Sequence, residues 1–410
     1  MNNGKEISTI VCYRVDGKMK CEYLTAETAE EMKKKEKLVY RGKKLKKKNL
    51  DNGIFSDWAE KWLREIKTPS GISYSSVVGY CGIVNCLNSR FGETPIKNIT
   101  LADFQNYIND LATERKDGKP GFSKTSLTNR KKVAKSIFQY ARANNVSGVP
   151  DFFRMVVIPK DSPVYERRSL TEDEQQMIID TEHGAQLPAM IMMFSGLRRG
   201  ELIPLEWSDI DLENAIISIN KSVVTIASKP VIKDGGKSKS ATRYIPIPPV
   251  LVDYLKKTKS EKTNESDLVC PDSKGNIYNE GEWQKLWDDY MNILNEKYGY
   301  GKRAEKLKAR LGMKQLPFII EPFTAHYLRH TFATLLYLED VDVVTAKQIL
   351  GHSTISTTIN VYTDFESINR FDLSEKYKEK LKNEFAIGAN KQFGFYSPAS
   401  KMCAFKRNNF

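Results

Sequence analysis

Apolar residues in the first third of the chain change period once, and the change divides two kinds of element. Ile7 to Val15 and Lys18 to Leu24 alternate apolar with polar, and Asp16-Gly17 between them is a strong hairpin signal. Thr25 stands where it can cap a helix carrying Ala29, Met32, Glu36 and Val39. From Phe55 the spacing becomes helical: Phe55, Trp58, Ala59, Trp62, Leu63 and Ile66 fall on one face of a single helix. Val77, Val78, Cys81, Val84 and Leu87 mark a second helix, closed by Gly92 and Pro95. Thr100 with Asp103 has the form of a capping box opening a third. Leu127 to Ala143 gives a fourth, whose exposed face is expected to hold Arg130, Lys131 and Lys135.

Pro150, Pro159 and Pro163 punctuate the next stretch, which reads as a linker ending at Arg167-Arg168. Thr171 with Glu174 then makes another capping box and opens a mixed region. Within it Ala215 to Asn220, Val223 to Ile232 and Arg243 to Ile247 are β-rich, with helical segments on either side. Asn295 to Lys314 is polar and basic without clear period, and the final twenty or so residues carry no readable signal. The expected fold class is multidomain and mainly α with small β-sheets. Residues 1–48 form a small ββα-type unit, 49–150 a four-helix domain, 151–168 a linker, 169–387 a mixed α/β domain and 388–410 a tail.

Charge sharpens this picture. The 410 residues carry a formal net charge of +13, and residues 1–48 hold 14 basic against 7 acidic side chains. Arg41-Gly-Lys-Lys-Leu-Lys-Lys-Lys48 concentrates six cations in eight residues, either a solvated linker or a strap over a polyanion backbone. A polyanion is the natural partner, because clustered cations gain affinity by releasing counterions from phosphates, with solubility alone as the other reading. No apolar run approaches the ~18 residues of a membrane span, and Met1 to Lys5 is too polar to open a signal peptide, so a cytoplasmic, nucleoid-associated protein is expected. The six cysteines form no CxxC pair, and the four histidines do not sit beside them at zinc-ligand spacing. Neither a metal nor a disulfide framework is indicated.

Four segments far apart in sequence carry candidate chemistry. In Phe194-Ser-Gly-Leu-Arg-Arg-Gly-Glu201 a helix stops at Gly196 and another begins, leaving Arg198 at a helix start where a cation is poorly placed for the dipole and an anion is welcome. Gly236-Lys-Ser-Lys-Ser-Ala-Thr-Arg-Tyr-Ile-Pro246 reads as a polar hairpin with a lysine tip. His326-Tyr-Leu-Arg329 places an imidazole and a guanidinium on one helix face, away from His330. Taken alone, that pair means a buried histidine beside a surface arginine. Leu350-Gly-His-Ser-Thr-Ile-Ser-Thr-Thr-Ile-Asn-Val-Tyr362 puts His352 in a loop and Tyr362 ten residues on. Among 19 tyrosines only context selects that one, since a phenol with a pKa near ~10 is a poor nucleophile at neutral pH.

Together, and in this order, the four segments resemble the tyrosine recombinase family, the integrases of temperate phages and conjugative transposons. The likeness covers roughly Ser169 to Leu373. It rests on an arginine in a Gly-Leu-Arg-x-x-Glu context, a hairpin lysine, a His-x-x-Arg helix, a Leu-Gly-His turn and a following tyrosine. The resemblance implies that Arg198 and Arg329 clamp a scissile phosphate, which suits guanidinium geometry. It implies further that His352 adds a donor, that His326 accepts or relays the proton of attacking Tyr362, and that Lys237 protonates the departing 5′ oxygen. Lys239 is the competing choice for that last role. Glu201 is expected to orient this group rather than react.

The implied product is a 3′-phosphotyrosyl link. One phosphoester replaces another, so religation needs no nucleotide cofactor; the chain has no GxxxxGK[ST] loop and no clustered carboxylates for magnesium. The resemblance also implies two strand exchanges through a four-way junction on double-stranded DNA, held by four subunits. An accessory excision factor and a host DNA-bending protein are expected partners. By the same likeness, residues 1–48 read as an arm-site DNA-binding domain and 49–150 as a core-binding domain opposite the catalytic one. Lys43, Lys44, Lys46, Lys47, Lys48, Arg130, Lys131, Lys135 and Lys239 are the candidate DNA contacts. Two other readings stay open, a type IB topoisomerase and a catalytically silent DNA-binding regulator.

Overall fold

A computed structural model describes residues 7–42, 53–113, 121–164, 168–234, 242–261 and 266–369. The chain divides into two compact units, residues 1–166 and 167–410.

The first unit opens with an antiparallel hairpin of β1 (Ile7–Val15) and β2 (Lys18–Ala26), in register from Ile7 opposite Ala26 to Val15 opposite Lys18. Asp16 and Gly17 both take positive φ, 50° and 75°, the two-residue turn whose twist matches its strands. Because β2 extends to Ala26, Thr25 is strand and cannot cap. Thr28 does so instead: its hydroxyl accepts from the Glu31 amide at 3.2 Å, opening α1 (Ala29–Gly42).

Four longer helices follow: α2 (Phe55–Trp62), α3 (Tyr74–Phe91), α4 (Leu101–Ala112) and α5 (Lys124–Ala143). Phe55, Trp58, Trp62, Phe104, Phe138 and Phe153 are fully buried among them. Two apolar residues assigned to helix faces by spacing lie outside this core. Val78 is exposed, and so is Ile66, because α2 runs into a π-helical turn, Leu63–Lys67. The extra residue in that turn shifts the face carried onward from Leu63. The Thr100–Asp103 capping box forms as expected, and the hairpin is tied down by an Arg14–Asp57 ion pair and by Asn85, whose Nδ2 donates to the Met19 carbonyl at 3.0 Å.

Two expectations fail in this unit. The stretch read as the start of a linker buries Phe152, Phe153 and Val156 in the helical core. The face of α5 expected to be solvated is half-buried: Arg130 stacks on Phe122 at 3.8 Å and donates to the Ser126 carbonyl, while Lys131 Nζ donates to the Val156 carbonyl at 2.7 Å. Lys135 is half-buried on the same helix.

The second unit is built around α7 (Gln186–Ser195), which is almost wholly buried. It begins with α6 (Glu172–Ile179), where Thr171 and Glu174 complete their capping box. After the single turn α8 (Arg199–Leu202) come β3 (Ile210–Asp211), β4 (Ile216–Ile219), β5 (Lys221–Ile226), β6 (Lys229–Asp234) and β7 (Arg243–Pro246). The sheets have orders β3-β4-β7 and β5-β6. The β-rich run Val223 to Ile232 is therefore a hairpin folded at Ala227 and Ser228, both at positive φ. Strands β6 and β7 lie in different sheets, and the lysine-bearing segment expected as a hairpin tip, residues 235–241, lies outside the described residues.

Helices α9 (Pro249–Ser260), α10 (Glu280–Leu294), α11 (Ala304–Leu311), α12 (Ala325–Leu338), α13 (Val343–Leu350) and α14 (Ile355–Asn369) complete the unit. The segment 295–314, without a readable period, folds as a π-helical turn followed by α11, which buries only Ala304. Among the described residues no helix is long and apolar enough to cross a membrane.

Candidate active site

The site is organised around the C-terminus of α13, where three carbonyls at the negative end of a helix need donors. Three guanidinium groups from three different elements supply them. Arg243, the first residue of β7, donates Nε to the Ile349 carbonyl at 3.0 Å. Arg329, from α12, donates Nη2 to the Leu350 carbonyl and Nη1 to the Gly196 carbonyl, the latter at 2.6 Å. Arg198 donates Nη2 to the Gly351 carbonyl at 2.7 Å. Three consecutive backbone oxygens are thus each matched to a different arginine.

Two glycines make the approach possible. Gly196 ends α7 at φ 64°, and a Cβ there would come within 2.4 Å of the Phe332 ring. The sharp exit lets Leu197 return to the core and delivers Arg198 to the N-cap of α8. Gly351 ends α13 at φ 64°, and a Cβ there would meet the Arg243 guanidinium at 3.1 Å. Both positions require a backbone that side chains with a Cβ rarely adopt.

Glu201 is the carboxylate joined to this cluster. Its oxygens accept from the Arg198 amide at 2.9 Å and Arg198 Nη1 at 2.8 Å, and from Arg243 Nη1 and Nη2 at 2.9 and 2.7 Å. Burial opposes ionisation, but the hydrogen bonds and charge of Arg243, with Arg198 behind them, hold the carboxyl down at about 2. Glu201 therefore supplies part of the anionic complement expected at the start of α8. Among the described residues of the cluster it leaves three cations facing one anion.

Arg329 is only 3% exposed, and burial together with the charge of Arg198 lowers it to about 9, against the pull of Glu201. It stays protonated at neutral pH, desolvated among like charges, which is the electrostatic condition an anionic ligand relieves. The Arg198 side chain is 40% exposed and so is the reachable member.

His352 follows Gly351, with Nδ1 2.9 Å from the Thr358 hydroxyl on α14. Burial, then the fields of Arg329, Arg198, His330 and His326, lower it to about 4, so the imidazole is neutral at physiological pH. His326 lies in the first turn of α12, exposed, with its ring edge-on to His330 at 5.4 Å. That corrects two expectations: the histidine does not point away from His330, and in the His-x-x-Arg pair the arginine is buried while the histidine is exposed.

Tyr362 is placed differently from the rest. Its side chain, 7% exposed, packs edge-on against Tyr337 at 5.0 Å, and its hydroxyl donates to the Val341 carbonyl at 3.1 Å. Burial and the nearby Asp342 carboxylate raise the phenol well above its usual range. The structure gathers Arg198, Glu201, Arg329 and His352 in one cluster, with His326 at its margin, but does not aim the phenol among them.

Lys237 and Lys239, and the basic run Lys43, Lys44, Lys46, Lys47 and Lys48, lie outside the described residues. Sequence reasoning passed over Arg243 and Thr358. Arg243 stood inside a quoted motif, three residues before Pro246, but only tertiary packing discloses that it reaches Glu201 and α13.

With this geometry in view, the comparisons are specific. Residues 168–367 match the phage integrase family and residues 54–112 the phage integrase N-terminal SAM-like domain. A tyrosine recombinase XerC-like protein of Caldanaerobacter subterraneus is 28% identical over 295 residues, covering 67% of this chain and 70% of the relative. Tyrosine recombinase XerA of Thermococcus kodakarensis is 25% identical over 272 residues, covering 65% of this chain and 80% of the relative. The transposase from transposon Tn916 of Enterococcus faecalis is 23% identical, over 59% of each. The fold is shared with the Tn1549 transposon integrase solved with a circular intermediate DNA, at TM-score 0.58 and 18% identity, covering 78% of this chain and 99% of that one. Two integrase domains in their proper order, on a chain whose relatives are recombinases, place this protein in the tyrosine recombinase family of phage integrases.

Proposed function

We propose that this chain is a site-specific DNA recombinase of a mobile element, cutting and rejoining strands through a phosphotyrosyl bond to Tyr362. The observation that carries the reading is the excess of cation over anion at the α13 terminus, where Arg198, Arg243 and Arg329 share one carboxylate. A phosphodiester bound there receives paired donors from Arg198 and a desolvated positive field from Arg329. Those interactions strengthen as charge develops on the non-bridging oxygens of the transition state. Neutral His352 contributes a donor without requiring a second anion.

In the reaction the Tyr362 oxygen attacks phosphorus, the bond to the 5′ oxygen breaks, and a 3′-phosphotyrosyl link forms. The phenol must lose its proton, for which His326 is the acceptor or relay, and Lys237 supplies the proton the 5′ oxygen gains. Because the Tyr362 hydroxyl donates to Val341 in this conformer, it has to break that hydrogen bond before it can attack. The net charge of +13 suits double-stranded DNA as partner, and residues 1–48 and 49–150 are proposed as the arm-site and core-site DNA-binding regions. Four subunits on a four-way junction, with an excision factor and a host DNA-bending protein, complete the proposal.

The test is a nicked suicide duplex carrying the attachment sequence that flanks the gene. The parent chain is expected to form a protein-linked DNA band, and Tyr362→Phe to bind the duplex with nearly parental affinity and form none. Lys237→Ala is expected to cleave slowly with a 5′-oxygen leaving group and to recover with a 5′-thiolate. Absence of recovery would move the acid role to Lys239. Strong relaxation of a plasmid lacking any attachment site would favour a topoisomerase. No covalent band from the parent would favour a silent DNA-binding regulator.

A further inference from the structure

We propose that Arg243 is a positioning residue for DNA cleavage, setting the phosphate clamp by holding Glu201 and the C-terminus of α13 from one guanidinium. The inference rests on the reading that this site cleaves DNA. Its basis is the division of labour among three N–H groups of one side chain. Nη1 and Nη2 bind the two Glu201 oxygens side by side, and Nε binds the Ile349 carbonyl. Glu201 in turn holds both the amide and the guanidinium of Arg198, while the peptide beyond Ile349 carries the carbonyls that fix Arg329 and Arg198. Arg243 thus joins β7 by hydrogen bonds to groups that hold both clamp arginines.

The side chain is not itself a phosphate ligand in this arrangement. It is 15% exposed and its guanidinium sits against Gly351, so its edges are committed to protein acceptors. Arg243 is the first residue of β7. The strand is itself anchored in the sheet through Arg243 opposite Ile219 and Ile245 opposite Ile217. Carboxylate and α13 terminus are thus referred to one point of the sheet.

Only arginine meets these demands. A planar guanidinium offers a fork to a carboxylate and a third donor at Nε, whereas an ammonium is a point charge that cannot hold both oxygens and a carbonyl in fixed directions. Arg243→Lys keeps the cation beside the helix terminus and is the informative variant. It is expected to bind the suicide duplex within about threefold of the parent and, at saturating DNA, to cleave roughly 100-fold more slowly, the scale at which a small misplacement of reacting groups acts. Because Arg243 acts through Glu201, the double variant Arg243→Lys, Glu201→Gln is expected to cleave no more than about threefold slower than the slower single variant.

A residue that merely stabilised the fold would lower the unfolding midpoint while the folded fraction cleaved at the parental rate. Parental cleavage by a folded Arg243→Lys, or losses that multiply in the double variant, overturns the proposal. If Arg243→Lys does not fold, Arg243→Met, which fills similar space without charge, takes its place. Failure of both to fold also overturns the proposal in favour of a structural role. Should the parent itself give no covalent band, the cleavage reading falls first. If the parent cleaves and the Arg243 variants match it, only this inference falls.

Discussion

Gly351 has two reasons to be glycine, and they are separable by experiment. Its φ of 64° is the left-handed conformation, and the Arg243 guanidinium occupies the space a Cβ would need. Gly351→Ala is expected to lose about 1–2 kcal/mol from backbone conformation alone, and to displace Arg243 from Ile349 and Glu201 as well. Urea unfolding measures the first loss, and single-turnover cleavage detects the second; an unchanged unfolding midpoint would contradict the conformational argument. His352 and Glu201 give the site a defined response to acid. Both have folded-state values below their ordinary ones, about 4 against 6.5 for His352 and about 2 against 4.5 for Glu201. The unfolded chain binds the extra proton first in each case, so stability falls as pH drops, from pH 6.5 toward 4 for the histidine and from 4.5 toward 2 for the carboxylate. Unfolding midpoints taken between pH 7 and 4.5 should decline for the parent and decline less for His352→Gln. Equal slopes in the two would mean that His352 is not the proton-sensitive group.

At the scale of elements, what could be foreseen depended on whether local interactions decide the conformation. The capping boxes at Thr100–Asp103 and Thr171–Glu174 are complete within four residues and were legible for that reason. Thr100→Ala is expected to destabilise the first unit by about 1 kcal/mol, read as a shift of its thermal midpoint; no shift would mean that packing alone fixes the start of α4. The Asp16-Gly17 hairpin was equally local. Where long-range contacts decide, the sequence pattern misled. Thr25 looked like a cap until pairing with Ser8 drew it into β2, and Ile66 left its expected face because a π-helical turn inserts a residue after Leu63. The partner of β7 was equally hidden, since no local feature reveals that it pairs with β4 rather than β6. The same logic applies to the site. Arg198, Glu201, Arg329 and His352 stand in compact motifs and could be found, whereas the reach of Arg243 to residues more than a hundred positions away, and the retreat of Tyr362 onto Val341, exist only in three dimensions.

The charge of the whole molecule separates cations that serve the fold from cations available to a polyanion. Arg130 and Lys131 were expected on a solvated face, yet one lies on the Phe122 ring and the other on the Val156 carbonyl, so their charge is partly spent inside the first unit. The run Lys43, Lys44, Lys46, Lys47, Lys48 has no apolar neighbours in sequence except Leu45, and six cations in the eight residues from Arg41 to Lys48 leave strong mutual repulsion for a phosphate backbone to relieve. These two groups therefore predict different outcomes from the same substitution. Replacing the five lysines with glutamine is expected to leave the unfolding midpoint unchanged. It should flatten the dependence of DNA affinity on salt, by about 0.9 in the log–log slope for each phosphate contact removed. Replacing Arg130 and Lys131 with glutamine is expected to lower the thermal midpoint of the first unit and alter the salt slope little. Filter binding or anisotropy titrations from low to physiological salt, alongside unfolding of the same variants, resolve the two cases. A salt slope that answers to Arg130 and Lys131 but not to the lysine run would place the DNA path along α5 and refute the assignment of the lysine run as a strap.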